Sequence, residues 1–329
     1  MIGAKVVLEL YEKFKDEWIV ELLLNDLIDW HDWFHTYRLL PPLNMVCLGS
    51  NPIPGDTYYA PNTLQSARLE SGLDNSPMWD DTVFNTTTHQ MQLYELSQSS
   101  FYVASAAHLV RLAAIVNRSD ETAHLVERAI TMRRLIADNL WDAENSVFTN
   151  KKPGPEGFYR KISPTSFYPL MANASTDEQA DQMMTHWLTN KTRFCINPNY
   201  ETENLPECYW GLPSISMDDP TFPPLGYWRG YVWGTMTHAV TLTPPPPWTM
   251  FLPGIPAPPP LVLRWGTTCP SVPEMLIGLV IRSHARFRFA FLLFIIFRPN
   301  GAADLLVAPG VRPRPVGSRG PESHVHPDD

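Results

Sequence analysis

The sequence predicts an all-α head over residues 1–240, followed by a Pro/Arg-rich tail of different character over 241–329. Three observations point there. Apolar residues recur at helical spacing through the head. Nowhere in the head does apolar and polar character alternate for long enough to make a half-buried strand. Composition breaks near residue 241: 17 of the 33 prolines fall in the last 89 residues, and lysine does not occur after Lys191. Net charge follows the break, −12 in the head and +3 in the tail.

The elements come in order along the chain. Residues 4–38 carry one or two helices, broken by Pro41-Pro42, since proline removes a backbone donor and restricts the residue before it. Leu109, Leu112, Ala113 and Val116 fall at i, i+3, i+4 and i+7, one face of a helix. Leu125, Ala129, Met132, Ile136 and Leu140 make the next stripe. LWDAENSVFTN, 140–150, predicts a helix end, a turn and a short strand. Ser175-Thr-Asp-Glu178 fits a capping box, opening a helix with Ala180, Met183, Met184, Trp187 and Leu188 on one face. Long loops at 41–87, 150–165 and 195–228 have the length of segments that carry function. In the tail, Pro244 to Pro247 and the prolines up to Pro260 favour polyproline II. The segment 275–297 is apolar, but its unbroken part, Phe289 to Phe297, is far short of the roughly 20 residues of a membrane span. Arg282, Arg286 and Arg288 interrupt the rest. A strand-like, aggregation-prone segment is expected there instead, and no ordered structure in the last thirty residues.

With 44% apolar and 12% aromatic residues in 329, the chain can bury a sizeable core. The net charge of −9 argues against a nucleic-acid surface. Cys47, Cys195, Cys208 and Cys269 are scattered with no C-x-x-C pair, so neither a zinc site nor a disulfide framework is expected. No cofactor or metal constellation stands out; Asp142, Glu144 and Asn145 could hold calcium, with a plain turn the favoured account. The N-terminus mixes charge into its apolar residues and lacks the apolar core of a signal peptide, which favours the cytoplasm. Sequons at Asn85, Asn117, Asn173 and Asn190 leave the secretory route open. Nothing in the sequence sets the oligomeric state.

One stretch asks for chemistry. RLESGLDNSPMWDD, 68–81, carries Glu70, Asp74, Asp80 and Asp81 around Gly72 and the turn residues Asn75-Ser-Pro77. Glycine before Asp74 and proline after it would hold that acid on a rigid loop, with Trp79 near enough to wall the same pocket. A carboxyl against aromatic surface has its charged form disfavoured, which suits a general acid. A helix-capping loop whose acids face solvent is the competing account, and on spacing alone the stronger one. A second stretch, 210–236, gathers Trp210, Tyr227, Trp228, Arg229, Gly230 and Trp233. Rings stack on the apolar face of a sugar and arginine donates to its hydroxyls; a buried aromatic cluster beside a solvated arginine is the alternative.

Together, ESGLDNSPMWD (70–80), GLPSISMDDPTF (211–222) and YWRGYVW (227–233) resemble glycoside hydrolase family 63, which includes processing α-glucosidases and short mannosylglycerate-hydrolase-like enzymes. IDWHDWFHTYR (28–38), LGS (48–50) and LWDAENSVF (140–148) fit as well, so the resemblance runs over about residues 5–240. It implies a partial (α/α)6 toroid followed by a non-homologous tail. It also implies inverting hydrolysis of an α-glucosidic or α-mannosidic bond in an oligosaccharide or small glycoside, without cofactor. Asp74 matches the general acid. Tyr227, Trp228, Arg229, Gly230 and Trp233 match the pocket segment; Glu70, Asn75 and Trp79 belong to the acid loop, and Asp80 and Asp81 cap the segment after it. The family's base is a glutamate well beyond YWRG. The tail offers only Glu274 and Glu322, in no matching context, and Glu201, Glu203 and Glu207 are weak substitutes, so the general base is left unassigned. The resemblance thus predicts an incomplete toroid whose Lys-free tail reads like out-of-frame translation. A truncated, non-catalytic relative that at most binds sugar is the competing expectation.

Overall fold

A computed structural model describes residues 2–52, 61–196, 208, 211–222 and 226–241, with three strands at 275–281, 291–297 and 303–307. The chain divides into two units, Met1–Trp265 and Gly266–Asp329.

The first unit is helix-rich. Residues 4–38 form two helices, α1 (Gly3–Phe14) and α2 (Trp18–Tyr37). Lys15 closes α1 in the left-handed region at φ 61°, its N–H bonded to the Tyr11 carbonyl. On α2 the buried positions Val20, Leu24, Leu27, His31 and Phe34 recur every three or four residues, the spacing that gives a helix one apolar face. A hairpin of β1 (Leu39–Leu40) and β2 (Met45–Val46) brackets Pro41-Pro42. Helix α3 (Leu64–Ser71) starts at Thr63, whose side chain accepts from the Ser66 N–H, and stops at Gly72, φ 73°, a left-handed position glycine takes without strain.

Helix α4 (Leu96–Ile115) buries residues around most of its circumference, so it lies inside the unit. It packs on α1, α2 and α5 (Ala123–Asn139). The stripe Leu125, Ala129, Met132, Ile136 and Leu140 is buried as the periodicity predicts. Glu95 caps α4, its carboxylate accepting from the N–H groups of Ser97 and Gln98.

Between the helices lie hairpins too short for any alternation to be legible in sequence: β3 (Phe84–Asn85) with β4 (Gln90–Met91), β5 (Trp141–Asp142) with β6 (Val147–Phe148), and β7 (Asn150–Lys151) with β8 (Phe158–Tyr159). They qualify the all-α expectation. The capping box of α6 (Asp177–Met183) sits one residue later than predicted, on Thr176 and Gln179 instead of Ser175 and Glu178. Both pairs satisfy the motif, and the extended backbone of Thr176 decides between them. A wide turn, Met184–Leu188, continues α6 and buries Trp187 and Leu188. Helix α7 (Gly234–Thr241) ends the described part of this unit.

One large core holds Leu24, Tyr102, Leu112, Ile136 and Phe167. A smaller one holds Leu48, Ala67, Met78, Trp79, Met91 and Trp228. The second lies directly under the acidic loop.

In the second unit, β9 (Met275–Ile281), β10 (Phe291–Phe297) and β11 (Ala303–Val307) form an antiparallel sheet in the order β11-β10-β9. Among the described residues no helix is long and apolar enough to cross a membrane.

Cys195 and Cys208 are joined, with Cα atoms 4.9 Å apart, against the expectation of no disulfide. No local motif announces the pair, whose members stand 13 residues apart in sequence. Among the described residues no group of His, Cys, Asp and Glu is arranged to hold a metal. Asp142 and Glu144 each accept from Arg160, and the Asn145 side chain donates to Asp142.

Candidate active site

The acidic loop is fastened at several points along its backbone and side chains. After Gly72 the chain turns through Leu73 and Asp74; the Ser76 hydroxyl then accepts from the Met78 N–H and opens a 3-10 turn, Pro77–Trp79. Trp79 is fully buried. Its indole N–H donates to the Leu73 carbonyl at 2.9 Å, and its own carbonyl accepts from Arg68 Nη2 at 3.0 Å and Thr82 Oγ1 at 2.7 Å. Trp79 therefore braces the loop from beneath and presents no face to solvent. Tyr159 reaches the loop from β8, its hydroxyl donating to the Pro77 carbonyl at 3.3 Å and accepting from the Asp81 N–H at 3.2 Å.

The four carboxylates sort by partner. Glu70 accepts from Arg38 through Nε and Nη2 at 2.8–3.0 Å and from the Gly49 N–H at 2.7 Å. Arg38 is buried, stacks over the Trp33 ring at 4.4 Å, and also donates to Asn51 at 2.7 Å. Gly49 leaves no room for a side chain: a Cβ would lie 2.4 Å from the His89 carbonyl oxygen and 2.6 Å from Arg38 Cζ. Glu70 is thus an internal counter-charge that ties the acid loop to Arg38 and Gly49. Asp80 is paired with Arg229 through two hydrogen bonds, 2.6 and 2.9 Å. Asp81 is exposed. Asp74 is half-buried, and among the described residues no hydrogen bond or ion pair engages its carboxyl.

The aromatic segment stands against this loop. Its backbone N–H at Trp228 donates to Asn75 Oδ1 at 3.0 Å, across 153 residues of sequence. The neighbour of Asp74 therefore touches the Tyr-Trp-Arg-Gly segment directly. Trp228 and Trp233 stack with centroids 4.1 Å apart, and Tyr227 meets both edge-on at 5.6 and 5.2 Å. Trp228 is buried and its indole N–H has no acceptor among the described residues, whereas Tyr227 is 46% exposed. The Trp233 indole donates to the Tyr227 carbonyl at 3.0 Å, which keeps the cluster's shape.

The 211–222 segment supports it from behind. Pro213 pairs with Val232, the Ser214 N–H donates to the Tyr231 carbonyl, and the Gly230 N–H donates to Ser214 Oγ at 2.8 Å. Gly230 has φ 115°, a conformation that glycine alone adopts easily. Lys161 pairs with Asp219, which also accepts from the Thr221 N–H and hydroxyl. The three motifs are thus one assembly, with Asn75, Asp80, Trp228, Arg229 and Gly230 at the junctions. Arg38, Gly49 and Ser214 lie in stretches that carry the resemblance, but their individual roles come only from partners 32, 21 and 16 residues away. Trp210, Glu201, Glu203, Glu207, Glu274 and Glu322 lie outside the described residues.

The sequence matches the mannosylglycerate hydrolase MGH1-like glycoside hydrolase domain over residues 2–243. Mannosylglycerate hydrolases MGH1 and MGH2 of Selaginella moellendorffii are each 21% identical over 286 residues, a match covering 70% of this chain and 52% of theirs. The chain thus spans about half the length of these curated relatives. Among solved structures, the GH63 mannosylglycerate hydrolase from Thermus thermophilus in complex with glucose superposes with a TM-score of 0.54 at 18% identity, covering 73% of this chain and 60% of that one. The same enzyme with Tris and D-glycerate gives 0.51 at 18% identity, covering 73% and 62%. At such identities the likeness speaks to the fold alone.

Proposed function

Because the chain belongs to the mannosylglycerate hydrolase MGH1-like glycoside hydrolase domains of family 63, we propose that its acidic loop serves an inverting α-glycosidase reaction with Asp74 as general acid. The observation that carries this reading is the sorting of the loop's acids. Glu70 and Asp80 are spent on arginines and Asp81 faces water, while among the described residues nothing engages the Asp74 carboxyl, and its neighbour Asn75 holds the aromatic segment. A proton donor must be able to reach a departing oxygen, and of the four only Asp74 is both sheltered and unengaged.

In the proposed step the Asp74 carboxyl gives its proton to the glycosidic oxygen as the bond from that oxygen to the anomeric carbon breaks. Water adds to the opposite face of the sugar, losing a proton to a second carboxylate about 6.5–9.5 Å from the first, and the anomeric configuration inverts. Tyr227 offers an exposed ring for the apolar face of a sugar. The substrate class is a small α-mannoside or α-glucoside such as mannosylglycerate, the compound named for the relatives. Buffered protein with mannosylglycerate, followed by proton NMR of the anomeric signal, tests this. Release of the β-anomer first, with Asp74→Asn reducing kcat by at least about 100-fold, is the expected result.

A second reading has its own support. Beyond the Tyr-Trp-Arg-Gly segment the sequence holds two glutamates, Glu274 and Glu322, and neither stands in a context that matches the family's base. On this reading the assembly binds sugar without turning it over. Saturable sugar binding by calorimetry, with no anomeric product after prolonged incubation, distinguishes it from the first.

A further inference from the structure

We propose that Asp80 and Arg229 form a strap that seats the 226–233 aromatic segment on the Asp74 loop, which makes Arg229 a positioning residue and not a ligand of the sugar. The proposal deepens the glycosidase reading and rests on it for its kinetic consequence. Its structural content stands separately.

The geometry is that of a fork. Arg229 Nη1 donates to Asp80 Oδ2 at 2.9 Å and Nη2 to Asp80 Oδ1 at 2.6 Å, one bond for each carboxylate oxygen. Such parallel charge-assisted pairs fix orientation as well as distance. Both side chains are about three-quarters covered, 28% and 29% exposed. An isolated surface ion pair holds little, because ordering two long side chains cancels most of its attraction. This one is not isolated. One residue earlier, the Trp228 N–H is held by Asn75, so the backbone beneath Arg229 is already fixed to the same loop. The Gly226 carbonyl accepts from the Arg229 N–H at 2.6 Å, closing a tight turn that aims the guanidinium at Asp80.

The two ties both follow Asp74 in sequence. Asn75 lies one residue after it and Asp80 six after it, on the far side of the buried 3-10 turn. Together they fix the segment against both rotation and sliding, where either alone would leave a hinge. Each terminal nitrogen of the guanidinium gives one N–H to Asp80, so the charge that sequence inspection assigns to sugar hydroxyls has its counter-charge within the protein. The aromatic rings next to it, Tyr227 and the Trp228–Trp233 stack, are what the strap places. Misplacement of such a wall by even about 1 Å is enough to cost on the order of 100-fold in rate.

The test uses the full chain with Asp80→Asn, Arg229→Lys and the swapped pair Asp80→Arg/Arg229→Asp. Hydrogen–deuterium exchange of peptides covering 226–233 reports the strap with no reference to turnover. Opening of a locally held segment sets its exchange, so about tenfold faster exchange is expected in each single variant, with partial recovery in the swap. Unchanged exchange in both single variants overturns the proposal. The kinetic arm uses mannosylglycerate. Both single variants should lower kcat about equally with KM little moved, and combining Asp80→Asn with Arg229→Lys should be no worse than either alone. If Arg229→Lys raises KM while Asp80→Asn does not, the arginine is a sugar ligand and the proposal fails. If the parent chain shows no turnover yet exchange accelerates as expected, the glycosidase reading falls and the strap stands.

Discussion

Replacing Glu70 by alanine removes the counter-charge of Arg38 while leaving the guanidinium buried. Breaking a buried pair from one side costs about 3–5 kcal/mol, because the remaining charge has neither water nor a counter-charge, only the neutral Tyr37 and Asn51 oxygens. The Gly49 N–H loses its acceptor in the same change. We expect Glu70→Ala to lower the urea unfolding midpoint severely, and Arg38→Met with Glu70→Leu to recover a large part of the loss; equal midpoints for the single and double variants would disprove the pairing as a stability element. Trp79 behaves differently. Trp79→Phe keeps most of the buried ring but drops the bond to Leu73, so about 1–2 kcal/mol is the expected loss. Sugar binding should fall only as far as the loop loosens, since the ring itself faces the core.

Between elements, the contact of α2 with α4 carries a pH dependence. His31 of α2 stacks on Tyr102 of α4 at 4.1 Å, and its Nε2 lies 3.3 Å from the Tyr102 carbonyl oxygen. Burial first, and then the Arg128 charge, lower its pKa to about 3, opposed by that hydrogen bond and Asp32. His108 on α4 is lowered to about 4, again chiefly by burial. A base whose folded pKa is depressed takes up protons more readily unfolded. Its contribution is therefore whole above the unfolded value near 6.5, and is lost as pH falls from there through the folded values. Urea midpoints should decline steadily from pH 7 to pH 4, and His31→Phe, which keeps the stacked ring, should flatten the slope. At this scale the sequence was legible in proportion to how local its signals are. The stripe along α5 repeats within a few turns and is buried position by position, whereas in α4 the spacing is legible only over the last turns, from Leu109. The capping box came out one position early because two overlapping pairs satisfy the same pattern. Two-residue strands leave no period to detect. Asp74 was visible because glycine and proline bracket it, but the partners of Glu70 and Arg229 lie 32 and 149 residues away, and only the folded chain brings them in.

For the whole molecule, the division at Trp265 leads to a direct expectation: a chain ending there should unfold in urea with a midpoint close to that of the full chain, and a large drop would show that the last unit supports the first. The covalent tie between Cys195 and Cys208 contributes separately. Closing a loop of 13 residues is worth about 3 kcal/mol by restricting the unfolded chain. Cys195→Ser with Cys208→Ser should therefore lose about that much, and reductant should do the same to the parent protein but not to the double variant. The tie also encloses Glu201, Glu203 and Glu207. A peptidase that cuts after glutamate within this ring leaves both fragments attached, so a nicked molecule keeps its full mass on a gel until thiol is added.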